Sequence, residues 1–144
     1  MTFTEHIKIR WADIDHNQHV RHSAYYDYGA QCRISFFQAN GFDMAYFAQH
    51  HIGPILFSEQ CNFLRELTLG ETVAINLRAG SLSGDGTKWT LYHELFKESG
   101  EKAAHLKVTG AWMNTALRKI TAPPEGMAKA MHGLAAGEEF VFRK

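Results

Sequence analysis

Hydrophobic and polar residues alternate over positions 3–10, with Phe3, Ile7 and Ile9 on one side, and this two-residue period predicts a strand. The period changes after a polar loop at 11–22. Tyr25, Gly29, Cys32 and Phe36 recur at helical spacing and predict a helix from about Ser23 to Asn40. Ser23 or His22 is the expected N-cap, and Gly41 the C-terminal stop. A glycine inside a helix costs about 1 kcal/mol relative to alanine. Gly29 therefore points to close approach of the helix to a sheet. Positions 43–50 read as a short second helix.

The remaining pattern is that of strands. Over 54–64, Ile55, Phe57, Cys61 and Phe63 share one face, while Ser58, Gln60 and Asn62 lie on the other. Over 71–82, Val73, Ile75, Leu77 and Ala79 form an apolar side. The stretch Ser83–Gly86 (SGDG) has the composition of a hairpin turn. Trp89, Leu91, His93 and Leu95 then alternate through 87–97, and Leu106, Val108 and Trp112 through 103–115. Pro123–Pro124 is read as the end of the regular core, with a short helical or irregular tail over 125–144.

One strand, one long helix and then four strands joined mostly by tight turns imply an α+β fold, mainly an antiparallel sheet with the helix on one face. A single domain spans 1–144, its core covering about 3–122. One helix covers only part of a sheet face, and an open sheet keeps an exposed edge. Pairing of two chains relieves both, so a homodimer is expected.

Composition narrows the classes of function. Hydrophobic residues make up 45% and charged residues 21% of the 144 positions, ordinary values for a protein with a buried core. Fifteen basic residues balance fifteen acidic ones, so no net field favours nucleic acid or an anionic membrane. Cys32 and Cys61 sit among apolar neighbours and read as reduced core residues. The start, MTFTEHIKIR, lacks the apolar centre of a signal peptide, and no run reaches the length of a membrane span. A cytoplasmic protein is expected.

The chemistry concentrates in Arg10–Arg33, RWADIDHNQHVRHSAYYDYGAQCR. Asp13, Asp15, His16, His19 and His22 crowd the loop that feeds the helix. A carboxylate beside a helix N-terminus sets a nucleophile or base near unpaired backbone N–H groups able to bind an oxyanion. Asp15 is the candidate for that role. Both aspartates could equally shape the turn and cap its N–H groups, and the local sequence leaves this open. Three histidines every third residue invite a metal reading, but there is no HExxH or CxxC, and His50–His51 are adjacent. No metal is expected. Asp27 reads as solvated, and Glu59 as either a paired acid or an edge residue. Arg65, Arg78, Lys88 and Lys107 read as solvated strand positions.

The segment R-W-A-D-I-D-H-N-Q-H-V-R-H-S-A-Y-Y, with Arg33 further along the helix, resembles the signature of the hotdog-fold acyl-CoA thioesterases, nearest the 4-hydroxybenzoyl-CoA thioesterase family. Its marks are the D-x-D start, His19–Val20 four and five residues after Asp15, and a tyrosine opening the helix. The later run C-N-F-L-R-E-L-T-L-G-E-T-V resembles the family's second-strand segment, and the similarity covers about 3–122. The resemblance implies a hotdog fold, a mainly antiparallel five-stranded sheet wrapped around one long central helix. It implies acyl-CoA thioester hydrolysis with Asp15 as nucleophile or general base. His19 matches the loop histidine, and His22 the helix-opening position whose backbone N–H binds the thioester oxygen. Ser23 and Tyr25, with Ser58, Gln60 and Asn62 supplied across a dimer interface, are the implied substrate contacts. The implied partner is an acyl-CoA held in a tunnel between two chains, which could pair again into a tetramer. Coenzyme A is part of the substrate, and no separate cofactor is implied.

Gln18 replaces a common glycine, Arg21 and His22 a frequent Asn-Asn, and Glu66 a frequent proline. These departures bear on the substrate rather than the reaction. A hotdog enoyl-CoA hydratase using Asp15 and His19, and a catalytically silent acyl-CoA-binding protein, are the competing readings. The acyl group is open.

Overall fold

In the computed structural model, which describes residues 2–138, the first alternation forms β1 (Phe3–Lys8) and the helical stripe forms α1 (His22–Ala39). A short α2 (Met44–Gln49) follows, started by the Asp43 carboxylate accepting from Tyr46 N at 2.9 Å. Then come β2 (Ile52–Phe63), β3 (Thr72–Leu82), β4 (Lys88–Phe96), β5 (Lys102–Asn114), the two-residue β6 (Lys119–Ile120) and α3 (Glu125–His132). The main strands are antiparallel in the order β1-β3-β4-β5-β2, and β6 pairs antiparallel with the end of β5. A sheet in this order has two edges, β1 and β2.

The predicted apolar stripes meet. Ala24, Cys32 and Phe36 of α1 are fully buried, as are Val73, Ile75 and Leu77 of β3, Leu95 of β4 and Leu106 and Val108 of β5. Phe36 packs edge-on against Phe3 of β1 with ring centroids 5.5 Å apart. The reason for Gly29 is local. A Cβ there would lie 3.3 Å from both the His93 ring on β4 and the Arg33 guanidinium. His93 is fully buried and donates from Nδ1 to the Asn76 carbonyl at 2.8 Å. Its Nε2 is therefore the unprotonated acceptor for Arg33 Nη1 at 2.9 Å. Burial first, then the Arg33 charge, pushes the His93 pKa down to about 3.

Three expectations change. The face assignment of β2 fails at its middle, because Leu56 pairs with Gly110 and Ser58 with Thr109, leaving Phe57 as an extra residue in a bulge. The bulge shifts the side-chain period by one. Glu59, Cys61 and Phe63 thus join Pro54 and Leu56 on the α1 side, while Ile55 falls on the outer face with Ser58, Gln60 and Asn62. Second, α1 begins at His22, with Arg21 in the N-cap position and no side chain capping it, so neither His22 nor Ser23 is the cap. The Ala24 N–H already bonds the Arg21 carbonyl at 3.0 Å. Third, the core does not stop near 122. Met127 and Met131 of α3 are fully buried, and the Trp112 indole N–H donates to Met131 Sδ at 3.4 Å. Ala79 then pairs with Ala135 and Gly137 through backbone bonds of 2.9 and 2.7 Å. The last part of the predicted tail, 139–144, lies outside the described residues. Among those described, no helix is long and apolar enough to cross a membrane.

Candidate active site

Residues 11–22 are folded tightly onto the start of α1, and Asp13 is what holds them there. Its buried carboxylate accepts from Arg10 Nη2 (2.9 Å), Arg10 Nε (3.2 Å) and the Tyr28 hydroxyl (2.9 Å), with Arg21 Nη2 at 3.5 Å. The Arg10 hydrogen bond, reinforced by Tyr28 and the arginine charges, holds the Asp13 carboxyl below the usual carboxylate range against the opposing effect of burial. The Arg21 N–H also donates to the Asp13 carbonyl at 2.7 Å. Asp13 thus has the turn-shaping role.

Two residues on, Asp15 is exposed at the head of a tight turn. Its Oδ1 accepts from Asn17 N at 2.9 Å and His19 N at 3.3 Å, and its N–H donates to the His19 carbonyl at 2.8 Å. The turn closes through Gln18 at φ 67°, a left-handed conformation natural to glycine. Gln18→Gly should therefore raise the unfolding free energy by about 0.5–1 kcal/mol, after allowing for the added freedom of the unfolded chain. Denaturant titration measures this. An unchanged or lowered midpoint would show that the left-handed turn is not strained.

Asp15, His19, His22 and Tyr25 line one cleft of about 280 Å³, together with Val20 and the Phe63–Glu66 segment at the end of β2. The structure therefore brings together four of the residues singled out by sequence. His22 is the first residue of α1, so the uncapped helix terminus opens onto the cleft that Asp15 lines. Tyr25 forms the floor, edge-on to Phe63 at 4.9 Å, and burial pushes its pKa up to about 12, leaving a neutral phenol. His19 Nε2 lies 2.9 Å from Glu66 Oε2, which ties the loop to the opposite wall. Lys97 Nζ in turn holds the Glu66 carbonyl and, at 3.1 Å, the Glu71 carboxylate.

Other sequence candidates fall elsewhere. Ser23 is exposed at the second position of α1 and is not among the side chains lining the cleft. Ser58, Gln60 and Asn62 lie on the sheet face away from α1, with Ser58 Oγ 2.6 Å from Thr109 Oγ1. His16 lines an adjoining surface depression with Trp11 and Arg21, which shares only Asp15 with the cleft. Asp27 is exposed, as expected, 3.6 Å from Arg21. Among the described residues, no group of three or more His, Cys, Asp or Glu side chains is placed to hold a metal ion.

Phe63, Leu64, Arg65 and Glu66 are the cleft residues that reading by pattern missed. Arg65 is not a strand residue but a wall residue beyond the end of β2, its Nε 3.2 Å from Glu101. The signal lay in the second family-like run, CNFLRELTLGETV, which contains all four.

A curled antiparallel sheet packed on one long helix is the architecture of the hotdog fold. The chain belongs to the thioesterase-like superfamily, which it matches over residues 9–131. Among solved structures it is similar to a hypothetical protein from Staphylococcus aureus in complex with CoA, at 20% identity and TM-score 0.87 over 98% of this chain and 90% of that one. A 1,4-dihydroxy-2-naphthoyl-CoA thioesterase from Synechocystis aligns at 16% identity and TM-score 0.83, over 93% and 98%. A gentisyl-coenzyme A thioesterase aligns at 20% and 0.78, over 89% and 98%. These likenesses establish the fold. No match is found among curated protein sequences.

Proposed function

We propose that the protein hydrolyses an acyl-CoA thioester to a carboxylic acid and coenzyme A. The observation that carries this reading is the shared cleft: Asp15 and the open N-terminus of α1 line one space. The Asp15 carboxylate attacks the thioester carbonyl, or takes a proton from the water that does. The carbonyl oxygen gains charge as the tetrahedral intermediate forms, and the N–H groups at His22 and Ser23 stabilise it. Collapse breaks the C–S bond and coenzyme A leaves as thiolate. In the nucleophilic route a second attack, by water on the anhydride, frees Asp15. Two of the similar structures bear thioesterase names and a third holds CoA, which supports this ligand class.

The oxyanion role belongs to the backbone of His22, not to its ring. Arg21 has ψ 144°, the extended conformation that suits a residue before proline, and His22 is the first helical position, where proline fits. His22→Pro therefore removes one N–H with little change to the helix and should lower kcat by about 10²–10³-fold. His22→Ala keeps the N–H and should stay near wild type. Thiol release from a panel of acyl-CoAs measures both, and equal rates for the two variants would remove the helix terminus from the mechanism.

We also propose a homodimer formed through β2. This edge strand is twelve residues long and exposes Leu56, Phe57 and Phe63, which makes it a template for pairing unless another chain covers it. Substrate contacts from Ser58, Gln60 and Asn62 belong to the paired form alone, because within one protomer they face away from α1. Sedimentation velocity should give the mass of two chains or a multiple of it. A monomer at micromolar concentration would end this part of the reading.

The turn bonds made by Asp15 support a second reading, a silent acyl-CoA-binding protein in which the acid only shapes the loop. Coenzyme A ester binding without thiol release from any substrate would establish it.

A further inference from the structure

A second cavity, of about 250 Å³, lies further along α1, between the helix and β2, β4 and β5. Its walls include Ala30, Ile34, Phe37, Leu56 and Trp112, an apolar lining. Three of its side chains carry donors: the Trp112 indole N–H is taken by Met131 Sδ, which leaves Arg33 and Trp89. Arg33 has a side chain only 9% exposed, and Trp89 has an indole Nε1 that is buried without a hydrogen-bond partner. The Arg33 guanidinium gives Nη1 to the neutral His93 ring at 2.9 Å, while its nearest carboxylate, Glu59, stands 4.0 Å from Nη2. That separation is an ion pair at its limit rather than a hydrogen bond. No lining side chain of the cavity carries an acceptor oxygen. A buried donor left unsatisfied is costly, and native structures satisfy nearly all of them. An apolar space presenting two donors and no acceptor fits an apolar ligand with an oxygen at its end.

The thioester cleft and this space are both bounded by α1 and β2 and share no lining residue. The inner residues of β2 step back from Phe63 through Cys61 and Glu59 to Leu56 and Pro54, following the bulge. α1 runs the other way beside them. Tyr25 touches Phe63 at the cleft, Tyr26 lies within electrostatic reach of Cys61 and Glu59, and Arg33 reaches Glu59. From His22 to Arg33 the helix rises about 16 Å at roughly 1.5 Å per residue. The cleft and the cavity are thus two ends of one α1–β2 seam, with the reacting carbon at one end and the donors at the other.

We infer that this cavity takes the far end of an elongated acyl group and that Arg33 and Trp89 select an oxygen acceptor there. The preferred substrates carry a hydroxyl, carbonyl or carboxylate at the end distal to the thioester. The inference rests on the thioester reading for its substrate, and on the cavity alone for its selectivity. Arg33 and Trp89 are specificity residues, since neither lies at the reacting atoms.

Dodecanoyl-CoA, its ω-hydroxy counterpart and dodecanedioyl-CoA provide one length with three ends. For the wild-type protein, kcat/KM should favour the oxygenated ends over the methyl end by about tenfold or more. The hydroxy and dioic substrates separate a neutral acceptor from an anionic one. Trp89→Phe keeps the ring and removes its N–H, and Arg33→Met removes the guanidinium. Each should shrink the preference severalfold, and the double variant should abolish it.

The free acids provide a readout without turnover, their affinities following from quenching of Trp89 and Trp112 in the cavity wall. Ile34→Phe, in the α1 wall of the cavity and off the β2 edge, should weaken all three acids about tenfold. It also keeps the test intact if Arg33→Met fails to fold. Equal wild-type affinity for methyl and oxygenated acids overturns the inference even where thioesters are hydrolysed. Tight, oxygen-selective binding with no hydrolysis upholds the cavity and overturns the proposed reaction instead.

Discussion

Asp15→Asn should lower kcat for thioester hydrolysis by about 10²–10⁴-fold, the usual range for losing a positioned proton-transfer group, while leaving the turn in place. Asparagine retains an oxygen where Oδ1 accepts from Asn17 N and His19 N, so the local bonds of 2.9 and 3.3 Å survive. Stability should therefore change by no more than about 0.5 kcal/mol. This separates the two uses of the residue. A variant with wild-type stability and wild-type thiol release would leave Asp15 as a turn former only. Single-turnover hydrolysis in ¹⁸O water then distinguishes the two catalytic roles. Label in the Asp15 carboxylate requires an anhydride, and label confined to the product acid requires direct attack by water.

Asp13 should show the reverse profile, a large effect on stability. Asp13→Ala leaves the buried Tyr28 hydroxyl without its acceptor and frees Arg21, whereas Arg10, 71% exposed, rehydrates at small cost. The expected loss is about 2–3 kcal/mol, dominated by the unsatisfied buried phenol rather than the exposed arginine. Because the folded carboxyl is held below its ordinary value, the unfolded chain binds its proton first as the pH falls. The stabilisation is complete above the unfolded pKa of about 3.9 and is lost as the pH drops through the folded value. Urea titrations from pH 6 down to pH 2 should show wild type losing stability below about pH 4. Asp13→Asn should start lower and fall less steeply. Parallel curves for the two proteins would show that Asp13 does not carry the acid sensitivity. Since Asp13 also anchors the chain two residues before Asp15, its loss should lower kcat as well.

The contrast between these neighbouring acids shows how much of the site could be read without coordinates. The cluster of acids and histidines before a helical stripe was visible in RWADIDHNQHV, and so was its resemblance to the thioesterase signature. Which acid is buried was not. Asp13 and Asp15 have the same chemistry and the same local company. Their difference comes from Tyr28, fifteen residues after Asp13 and nearly two turns into α1, which presents its hydroxyl to one and not the other. The departures at Arg21 and Glu66 gain meaning in the same way. Arg21 joins the Asp13 cluster within the loop, and Glu66 binds His19 across the cleft, a contact between segments 47 residues apart.

The order of elements and most of the core were decided by the sequence alone, because periods of 2 and 3.6 residues are written directly in the positions of apolar side chains. The stripe Tyr25–Gly29–Cys32–Phe36 and the inward row Val73–Ile75–Leu77–Ala79 are buried as that rule requires. Only the tertiary structure decided the face of β2, since a bulge is a misfit between two strands and has no signal in either one. It likewise decided that α3 closes the core, because an eight-residue helix is stable only when packed. The Arg33–His93 contact, sixty residues apart, and the cavity beside it also exist only once α1 lies on the sheet. Local periodicity determines what a segment becomes; which buried donors meet, and which are left for a ligand, depends on contacts that no local pattern encodes.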